Sequence, residues 1–406
     1  MPTNKPVIFS FFSGAGFLDL GFEKNGFDVA FVNEIHAPFV EAYSYSRQQM
    51  NSPEPSMGYF VNDIDNFLTP SGLQELTQLT EQIRSTGAPI GFIGGPPCPD
   101  FSVAGKNKGR DGDNGRLSKS YIDLICAVNP TFFMFENVKG LWRTTTHRTF
   151  YEELKTQLRQ AGYLLTDRLI NAIEYGVAQD RDRIILFGVK QTALKLQFID
   201  EIALTKAFKW EQKLKYPGRY AFTTFAWPST DGECESDIKA KSSVPNELTV
   251  NYWFNQNQVN LHPNQKDFFQ PRAGLSKFQT VREGDVSKKS YKRLHRFRYS
   301  PTAAYGNNEV HIHPTLARRI TVAEALAIQS LPIEFCLPPT MTLTNKFKTI
   351  GNGVPYLAAQ GLAITIRTFL EEHLLEINSG KPRESHQQPI QKKLVRVHQR
   401  ELWNQA

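Results

Sequence analysis

Short apolar runs of strand length alternate with longer amphipathic runs over the first half of the chain. The strand-type runs cover residues 7–12, 29–33, 90–93, 131–135 and 184–189, and helix-type runs cover residues 73–85 and 151–161. Strands that alternate with helices are typical of a parallel sheet covered by helices on its faces. The pattern therefore predicts an α/β domain over residues 1–190.

The alternation stops after about residue 190. Residues 191–310 are rich in Pro, Gly, Asn and aromatic side chains and show no sustained period. This composition predicts a smaller, irregular domain, which we extend over residues 191–335 with 191–310 as its variable part.

Helical periodicity returns near the end of the chain, at residues 321–329 and 355–377. We expect residues 336–380 to pack back against the first domain. The last residues, 381–406, are polar and basic, which is typical of a mobile or interaction tail.

The composition excludes several classes of protein. The chain is 40% hydrophobic, its longest apolar runs are strand-sized, and its first residues form no basic-then-apolar leader. We therefore expect neither membrane insertion nor secretion, but a cytoplasmic location, nucleoid-associated if the source is bacterial. The four cysteines, at 98, 126, 234 and 336, lack the spacing of metal ligands, so we expect free thiols and no metal site.

The positive charge is concentrated in the middle of the chain. The formal net charge is +7, and residues 191–314 hold 18 Lys and Arg against 12 Asp and Glu. A local basic excess favours a surface that binds a polyanion. A solvated charged face is the ordinary alternative.

A glycine-rich turn after the first strand predicts a small-ligand site. Residues 10–21 read Ser-Phe-Phe-Ser-Gly-Ala-Gly-Phe-Leu-Asp-Leu-Gly, but Asp19 stands where a dinucleotide fingerprint needs its third glycine. A nucleoside without a pyrophosphate is therefore the better ligand. Glu34, after the second strand, is placed to accept from ribose hydroxyls, and Asp63 could accept from an adenine amine. A plain strand–turn–helix connection and a helix-cap Asp63 are the alternatives.

Three further segments carry reactive side chains. Residues 94–102, Gly-Gly-Pro-Pro-Cys-Pro-Asp-Phe-Ser, shape a loop that holds Cys98 out as a nucleophile. Glu136 ends an apolar strand, and Arg181 and Arg183 stand at alternate positions, on one face, where another strand begins. An isolated solvated carboxylate and a surface salt bridge are the ordinary alternatives for the last two segments.

Cys, Glu and Arg together favour chemistry on an electron-poor heteroaromatic ring. A thiolate adds to ring carbon 6, the carboxyl group supplies a proton or strong hydrogen bond at ring nitrogen 3, and an arginine holds the ring oxygen. The resulting enamine is nucleophilic at carbon 5 and can attack a methyl sulfonium. Burial of Glu136 would favour the protonated carboxyl group that this role needs.

Six ordered blocks resemble those of the DNA cytosine-5 methyltransferases. They are Phe-Ser-Gly-Ala-Gly, Gly-Pro-Pro-Cys, Glu-Asn-Val, Gln-x-Arg-x-Arg, Arg-x-Thr-x-x-Glu and Gly-Asn-x-Val-Pro. The resemblance covers residues 7–190 and 314–370. It implies a Rossmann-like, S-adenosylmethionine-dependent catalytic domain with a smaller target-recognition domain, similar to bacterial or phage modification enzymes.

The resemblance also implies roles for individual residues. Cys98 would be the nucleophile, Glu136 the partner of ring nitrogen 3, and Arg181 and Arg183 would order the site. The implied cofactor-binding residues are Phe12, Ser13, Gly14, Gly16, Glu34, Asp63, Pro97, Asn352 and Val354. Among these, Phe12 would stack on adenine, and Asn352 with Val354 would hold the methionine end.

Two positions depart from the family pattern, and one charge pair is expected to be structural. Phe17 stands where many members have a further glycine, and Gly353 occupies the third place of the Gly-Asn-x-Val block. The pair Arg319 and Glu324 resembles the block that braces the recognition domain.

A cytosine inside a duplex must be flipped out before a thiolate can reach its carbon 6. Residues 102–117, which begin with Ser102 and carry four basic side chains, have the composition of a closing loop. Residues 288–298 are the predicted phosphate-contact segment. Its basic residues are Lys288, Lys289, Lys292, Arg293, Arg296 and Arg298. Residues that read base edges cannot be identified from the pattern.

The sequence thus predicts a DNA cytosine-5 methyltransferase that acts on double-stranded DNA. Similar bacterial or phage enzymes commonly protect DNA from a partner restriction endonuclease for the same site, but the sequence does not show whether one exists here. The alternatives are an RNA cytosine-5 methyltransferase, a DNA-binding relative without turnover, and a nucleotide-dependent oxidoreductase. The last is disfavoured because the pyrophosphate fingerprint fails and Cys98 has no resolving cysteine.

Overall fold

A seven-stranded sheet forms the centre of the computed structural model. The structure describes residues 5–97, 113–195, 198, 200–228, 244–271, 274–303, 305 and 309–375. The strands are β1 Val7–Phe11, β2 Asp28–Asn33, β3 Gly58–Phe60, β4 Ile90–Gly94, β5 Phe132–Val138, β6 Tyr163–Asn171 and β7 Asp182–Lys190. Their order across the sheet is β3-β2-β1-β4-β5-β7-β6.

Helices cover the sheet and fill the rest of the described chain. In the first half they are α1 Phe17–Glu23, α2 Ala37–Gln49, α3 Pro70–Arg84, α4 Asp113–Val128, α5 Gly140–Arg143 and α6 Thr145–Gln160. In the second half they are α7 Glu201–Ala207, α8 Tyr220–Thr224, α9 Val250–Gln256, α10 Leu275–Thr280, α11 Val322–Ile328, α12 Leu343–Asn352 and α13 Tyr356–His373. The predicted α/β class is confirmed.

The expectation of a parallel sheet was wrong for β7. The first five strands across the sheet, β3, β2, β1, β4 and β5, are parallel. Strand β7 runs antiparallel to both of its neighbours, β5 and β6. The connection between β6 and β7, residues 172–181, holds a single 3-10 turn, Ala172–Tyr175. It is too short for the helical crossover that a parallel pair requires.

The reversed direction of β7 decides where its first residues lie. Val138, the last residue of β5, pairs with Arg183, the second residue of β7. The start of an antiparallel strand lies beside the end of its neighbour. The start of β7 therefore joins the carboxyl ends of the parallel strands at one edge of the sheet.

Some observed helix bounds differ from the predicted ones. Helix α3 begins at Pro70, three residues before the predicted start, because the Thr69 hydroxyl accepts from the Gly72 N–H. Helix α11 is capped reciprocally by Thr321 and Glu324. Helix α13 ends at His373, before the predicted residue 377.

Two phenylalanines of β5 pack over glycines of the strands on either side. Phe132 pairs with Gly91 of β4, and Phe133 pairs with Gly188 of β7. A Cβ at either glycine would lie about 2 Å from the facing ring, 2.2 Å at Gly91 and 2.1 Å at Gly188. The missing side chains thus leave room for aromatic packing on both faces of the sheet.

Residues that follow β7 in the chain also pack on the sheet. Leu194, Phe198, Leu204 and Phe208 belong to the same buried cluster as the α13 side chains and one face of the sheet. The packing therefore continues past the predicted division at residues 190 and 191.

Further along, β8 Lys292–Arg293 and β9 His311–Ile312 form a small parallel pair. The predicted tail, 381–406, lies outside the described residues. Within the described ranges, no helix combines the length and apolarity needed to span a lipid bilayer.

Candidate active site

The loop after β1 has a backbone that only glycine adopts easily. Gly14 and Gly16 have φ values of +55° and +79°. A Cβ at Gly16 would lie 2.4 Å from the Tyr43 ring. Phe12 also has a positive φ, +54°, which is strained for an aromatic residue. Strain of this kind is kept where the surrounding structure enforces it, often at ligand sites.

Glu34 fixes this loop from the neighbouring strand. Its Oε2 accepts from the Gly14 N–H at 3.0 Å, and its Oε1 accepts from the His36 N–H at 2.9 Å. Burial raises the pKa of the Glu34 carboxyl group above its ordinary value, and the two N–H donors oppose that rise. Each carboxylate oxygen keeps a lone pair that a ligand hydroxyl could use.

Asp19 occupies the place of the missing third glycine and faces inward. It is fully buried and accepts hydrogen bonds from the Ser10 hydroxyl at 2.8 Å and the Tyr43 hydroxyl at 2.9 Å. Asp19 thus binds α1 to the protein interior and takes no part in the ligand side of the loop.

Asp63 has the cap geometry that was its alternative interpretation. Its Oδ1 accepts from the Asp65 N–H at 3.0 Å and caps the 3-10 turn Ile64–Leu68. Its Oδ2 lies 3.9 Å from the Arg116 guanidinium. One oxygen thus caps the turn, and the other faces the long, exposed side chain of Arg116 in the first turn of α4.

Two buried hydroxyl groups beside the glycine loop have no partner among the described residues. They are the Ser13 Oγ and the Thr349 Oγ1. A Cβ at Gly14 would lie 3.8 Å from the Thr349 Oγ1, and Thr349 is only 2% exposed. Buried polar groups without partners are costly, so this site suits a polar ligand.

Helix α12 ends at Asn352 beside the same loop. Asn352 is exposed and Val354 is buried. A Cβ at Gly353 would lie 2.2 Å from the Phe17 ring. The two departures from the family pattern therefore compensate: the ring at position 17 needs the glycine at position 353.

An ion pair occupies the reactive edge of the sheet. Glu136, at the end of β5, is 7% exposed, and its Oε1 lies 2.7 Å from the Arg183 Nε. A Cβ at Gly95 would lie 2.6 Å from the Glu136 Oε2. Gly95 thus lets the segment that leads to Cys98 lie directly against this carboxylate.

The predicted nucleophile itself, Cys98, lies outside the described residues, as do Ser102 and most of the predicted closing loop, 102–112. Pro97 is described and exposed. The structure therefore brings together the carboxylate, the arginine and the glycine that surround the approach to Cys98.

Arg181 and Arg183 have different partners. Arg181 precedes β7, is 1% exposed, and donates to the carbonyls of Ala303, Gly351 and Asn352 at 3.4, 3.0 and 3.3 Å. Burial lowers the pKa of its guanidinium, and the nearby positive charge of Arg183 adds to that effect. Arg181 thus holds the backbone at the end of α12, whereas Arg183 faces Glu136.

The predicted charge pair between residues 319 and 324 was assigned to the wrong arginine. Arg318 donates to both Glu324 oxygens, at 2.7 and 2.9 Å. Arg319 instead lies over the Phe269 ring at 5.3 Å. Glu324 turns back to cap Thr321, which brings its carboxylate within reach of Arg318.

The predicted phosphate-contact segment divides into exposed and internal basic residues. Lys288 and Lys289 are exposed and Lys292 is half-buried. Arg293 is 6% exposed and donates to the backbone carbonyls of residues 278, 281, 313, 314 and 316. The pattern of charge could not separate these groups, because exposed and internal basic residues stand within one short segment.

Arg296 and Arg298 are also bound within the protein. Arg296 forms a bidentate pair with Glu283 at 3.0 Å, and Arg298 donates to the Pro228 carbonyl at 2.6 Å. Their guanidinium groups hold the segment in shape.

The fit between Phe17 and Gly353 predicts non-additive stability. Gly353→Ala should lower the free energy of unfolding by about 1–3 kcal/mol through overpacking, and Phe17→Ala by about 3–5 kcal/mol through a cavity. The double variant should lose at least about 1 kcal/mol less than the sum, because the cavity accepts the added methyl group. Urea unfolding measures all three.

The matched control combines Gly353→Ala with Phe150→Ala, a buried phenylalanine on α6. Those two changes should be additive because they share no neighbour. Additivity in the Phe17 pair as well would contradict the proposed compensation.

Comparison with known proteins identifies the family. The profile of the family described as C-5 cytosine-specific DNA methylase matches residues 7–367. The chain is 59% identical over 369 residues to the Type II methyltransferase M.NmeDI of Neisseria meningitidis serogroup C, covering 91% of this chain and 85% of that protein. It is 26% identical over 375 residues to the Type II methyltransferase M.FnuDI of Fusobacterium nucleatum, covering 90% and 95%.

Solved structures share the fold. A protein described as a DNA modification methyltransferase encoded within an E. coli prophage matches with a TM-score of 0.61 at 21% identity, covering 90% of this chain and 99% of that chain. The Dnmt2 methyltransferase of S. pombe matches with a TM-score of 0.56 at 13% identity and the same coverage. The resemblance inferred from the six sequence blocks is confirmed: the chain belongs to the C-5 cytosine-specific DNA methylase family.

Proposed function

We propose that this protein transfers a methyl group from S-adenosylmethionine to carbon 5 of a cytosine within a specific double-stranded DNA sequence, through a covalent bond between Cys98 and the base. The observation that carries the proposal is the buried pair of Glu136 and Arg183. It lies at the sheet edge that also carries the glycine loop, directly beneath the segment that leads to Cys98.

The glycine loop and its neighbours would hold the cofactor. When bound, S-adenosylmethionine supplies a methyl group on a positively charged sulfur. Glu34 accepts from the ribose hydroxyls, Asp63 from the adenine amine through its Oδ2, and Phe12 stacks on the adenine ring. Gly14 and Gly16 allow the backbone to approach.

The methionine end would lie at the end of α12. Ser13, Asn352 and Val354 surround it, and Pro97 approaches from the reactive side. The Thr349 hydroxyl, which has no partner within the described ranges, lies one turn before Asn352 and beside Gly14. We add Thr349 to the cofactor-binding residues because its hydroxyl can donate to the carboxylate of the amino-acid end.

The reactive edge would activate the cytosine. The Cys98 thiolate forms a bond to ring carbon 6, while Glu136 shares a proton with ring nitrogen 3 and Arg183 donates to the ring oxygen. The electron pair of the carbon 5–carbon 6 double bond would then form the new bond from carbon 5 to the methyl group, while the bond between that methyl group and sulfur breaks and its electron pair stays on the sulfur. Loss of the carbon 5 proton to a base expels the thiolate and restores the aromatic ring.

The middle of the chain would bind the duplex. The target base must leave the helix, at a cost of roughly a few kcal/mol. Lys288 and Lys289 are the exposed basic residues of the predicted segment, and we propose that they contact phosphates. Lys292 adds a third, partly buried contact. We propose that residues 191–310 form the target-recognition part. Arg293, Arg296 and Arg298 would stabilise its fold through their bonds within the protein.

The cellular role follows from the relatives, which are Type II methyltransferases. We propose that the enzyme works in the cytoplasm on genomic DNA and protects a site that a partner endonuclease would cut. The RNA alternative and a relative without turnover are separate outcomes of the first experiment below.

The proposed reaction predicts motif-specific methylation that depends on Cys98. Purified protein is incubated with unmethylated genomic DNA and S-adenosylmethionine, and the product is read by bisulfite sequencing. Methylated cytosines should appear at one repeated motif with the wild-type protein and be absent with Cys98→Ala. Cys126→Ala, which changes a half-buried thiol behind the sheet, is the matched control and should methylate normally.

In a parallel incubation with RNA in place of DNA, methylation of RNA but not of DNA would favour the RNA reaction. Binding of DNA without any methyl transfer would favour a relative without turnover.

The two exposed lysines predict a change in the salt dependence of DNA binding. Each phosphate contact contributes roughly 0.9 to the slope of log K against log salt concentration. Lys288→Gln with Lys289→Gln should therefore lower the slope by about 1.8, measured by fluorescence anisotropy. Lys5→Gln with Lys24→Gln removes the same charge from exposed positions at the opposite edge of the sheet. An equal fall in slope for both pairs would mean that only net charge matters.

The Thr349 hydroxyl predicts a selective loss of cofactor affinity. Thr349→Val keeps the shape but removes the donor, so S-adenosylhomocysteine should bind about 10-fold more weakly by calorimetry, as for a hydrogen bond to a charged group. Methylthioadenosine lacks the amino-acid end and should bind as before. Thr365→Val, which removes a buried hydroxyl bonded within its own helix, is the control. Equal weakening of both ligands would contradict the assignment.

A further inference from the structure

Two buried glutamines join the target side of the site to its cofactor side. We infer that the hydrogen bond between Gln179 and Gln329 is a positioning link, which couples the binding of the cofactor to the binding of DNA. This inference rests on the proposed function, because it assumes those two ligands.

The link is a chain of hydrogen bonds through the protein interior. Gln179 and Gln329 are both 0% exposed. The Gln179 Oε1 accepts from the Ala303 N–H at 3.2 Å, and its Nε2 donates to the Gln329 Oε1 at 3.2 Å. The Gln329 Nε2 donates to the carbonyls of Ile350 and Gly353 at 2.5 and 3.5 Å. The chain thus connects residue 303 to the end of α12.

Only one orientation of each amide satisfies these partners. Turning the Gln179 amide over would place its NH₂ group against the Ala303 N–H, and turning the Gln329 amide over would place its oxygen against two carbonyls. Such mismatches leave buried polar groups unpaired, at a cost of about 1–3 kcal/mol each. The two amides are therefore fixed in one arrangement, and aligned hydrogen bonds of this kind polarise one another.

One end of the chain belongs to the cofactor side. Gly353 follows Asn352 and precedes Val354, the two residues proposed for the methionine end. The Phe17 ring leaves no space for a Cβ at Gly353, so this short segment has little freedom to move away. A ligand that binds this segment therefore acts on the same backbone whose carbonyls accept from Gln329.

The other end belongs to the target side. Ala178 and Asp180 form backbone hydrogen bonds with Ser300, which places residues 300–303 along the start of the arginine block. Residues 300–303 lie within the proposed recognition region, 191–310. Arg181 runs parallel to the glutamine link, since it donates to Ala303 on one side and to Gly351 and Asn352 on the other.

A rigid link of this kind lets the binding of either ligand reduce the conformational freedom at the other end. A ligand that fixes residues 350–353 reduces the freedom of residues 300–303, so the second ligand has less to order when it binds. Thermodynamic linkage requires the effect to be reciprocal. S-Adenosylhomocysteine should therefore tighten the binding of DNA by the same factor as DNA tightens the binding of S-adenosylhomocysteine.

The test measures this factor with and without the link. The Kd of a short unmethylated duplex, which carries the motif found by sequencing, is measured with and without saturating S-adenosylhomocysteine. The wild-type protein should show coupling of at least about fivefold. In Gln329→Met, which keeps the side-chain volume but cannot hydrogen bond, the factor should fall at least about twofold, since Arg181 still joins the two segments. Each ligand alone should keep its affinity within about threefold.

Further variants separate the link from general damage. Gln179→Met removes the same bond from the other side and should have the same effect, and the double variant should lose no further coupling. The result thus does not depend on the folding of one variant. Gln157→Met, which removes a glutamine that bonds α6 to Asp123 of α4, is the matched control and should keep the wild-type factor.

Two outcomes would overturn the inference. One is a wild-type protein that methylates DNA but binds its two ligands independently. The other is an unchanged coupling factor in Gln329→Met and Gln179→Met. Either result leaves the proposed reaction intact, whereas absence of methyl transfer by the wild-type protein defeats the proposed function and the inference with it.

Discussion

The antiparallel pairing of β7 with β5 is the constraint on which the candidate site depends. In a sheet with only parallel strands, the beginning of β7 would lie at the edge opposite to the end of β5. The reversal instead sets Val138 opposite Arg183 and lets the Arg183 Nε lie 2.7 Å from the Glu136 carboxylate. A buried carboxylate without such a partner would carry a large desolvation cost. The direction of one strand thus supplies the partner that offsets the desolvation cost of the buried Glu136 carboxylate.

Glycines determine how closely the remaining parts approach this pair. Gly95 brings the segment before Cys98 against Glu136, and Gly353 lets the end of α12 press on the Phe17 ring. The second case explains two departures from the family pattern as one. A bulky ring at position 17 and a bare backbone at position 353 fill the same space, so neither residue can be interpreted alone.

Much of the fold and part of the site could be predicted from the sequence. Apolar runs located five strands, and the six blocks selected Glu136 and Arg183, which the structure brings together. The direction of β7 could not be predicted, because apolar periodicity does not indicate strand direction.

Other features also escaped prediction. Strand β3 has only three residues and β6 is interrupted by polar residues, so neither showed a strand pattern. The choice of Arg318 over Arg319 and the burial of Arg293 depend on how the chain folds back, which adjacent charges do not reveal. Thr349 could have been noticed only as a hydroxyl one turn before Asn352.

The central claim, that the Cys98 thiolate acts together with Glu136 and Arg183 on the cytosine, is tested most directly by trapping the covalent bond. A duplex that carries 5-fluorocytosine at the target position retains fluorine where a proton would leave, so the enzyme cannot complete elimination after methyl transfer. With S-adenosylmethionine present, mass spectrometry should find the DNA attached to the peptide that contains Cys98, with no adduct in Cys98→Ala and slower formation in Glu136→Gln. An adduct on Cys126, Cys234 or Cys336, or methylation of ordinary DNA without any trapped adduct, would contradict the account.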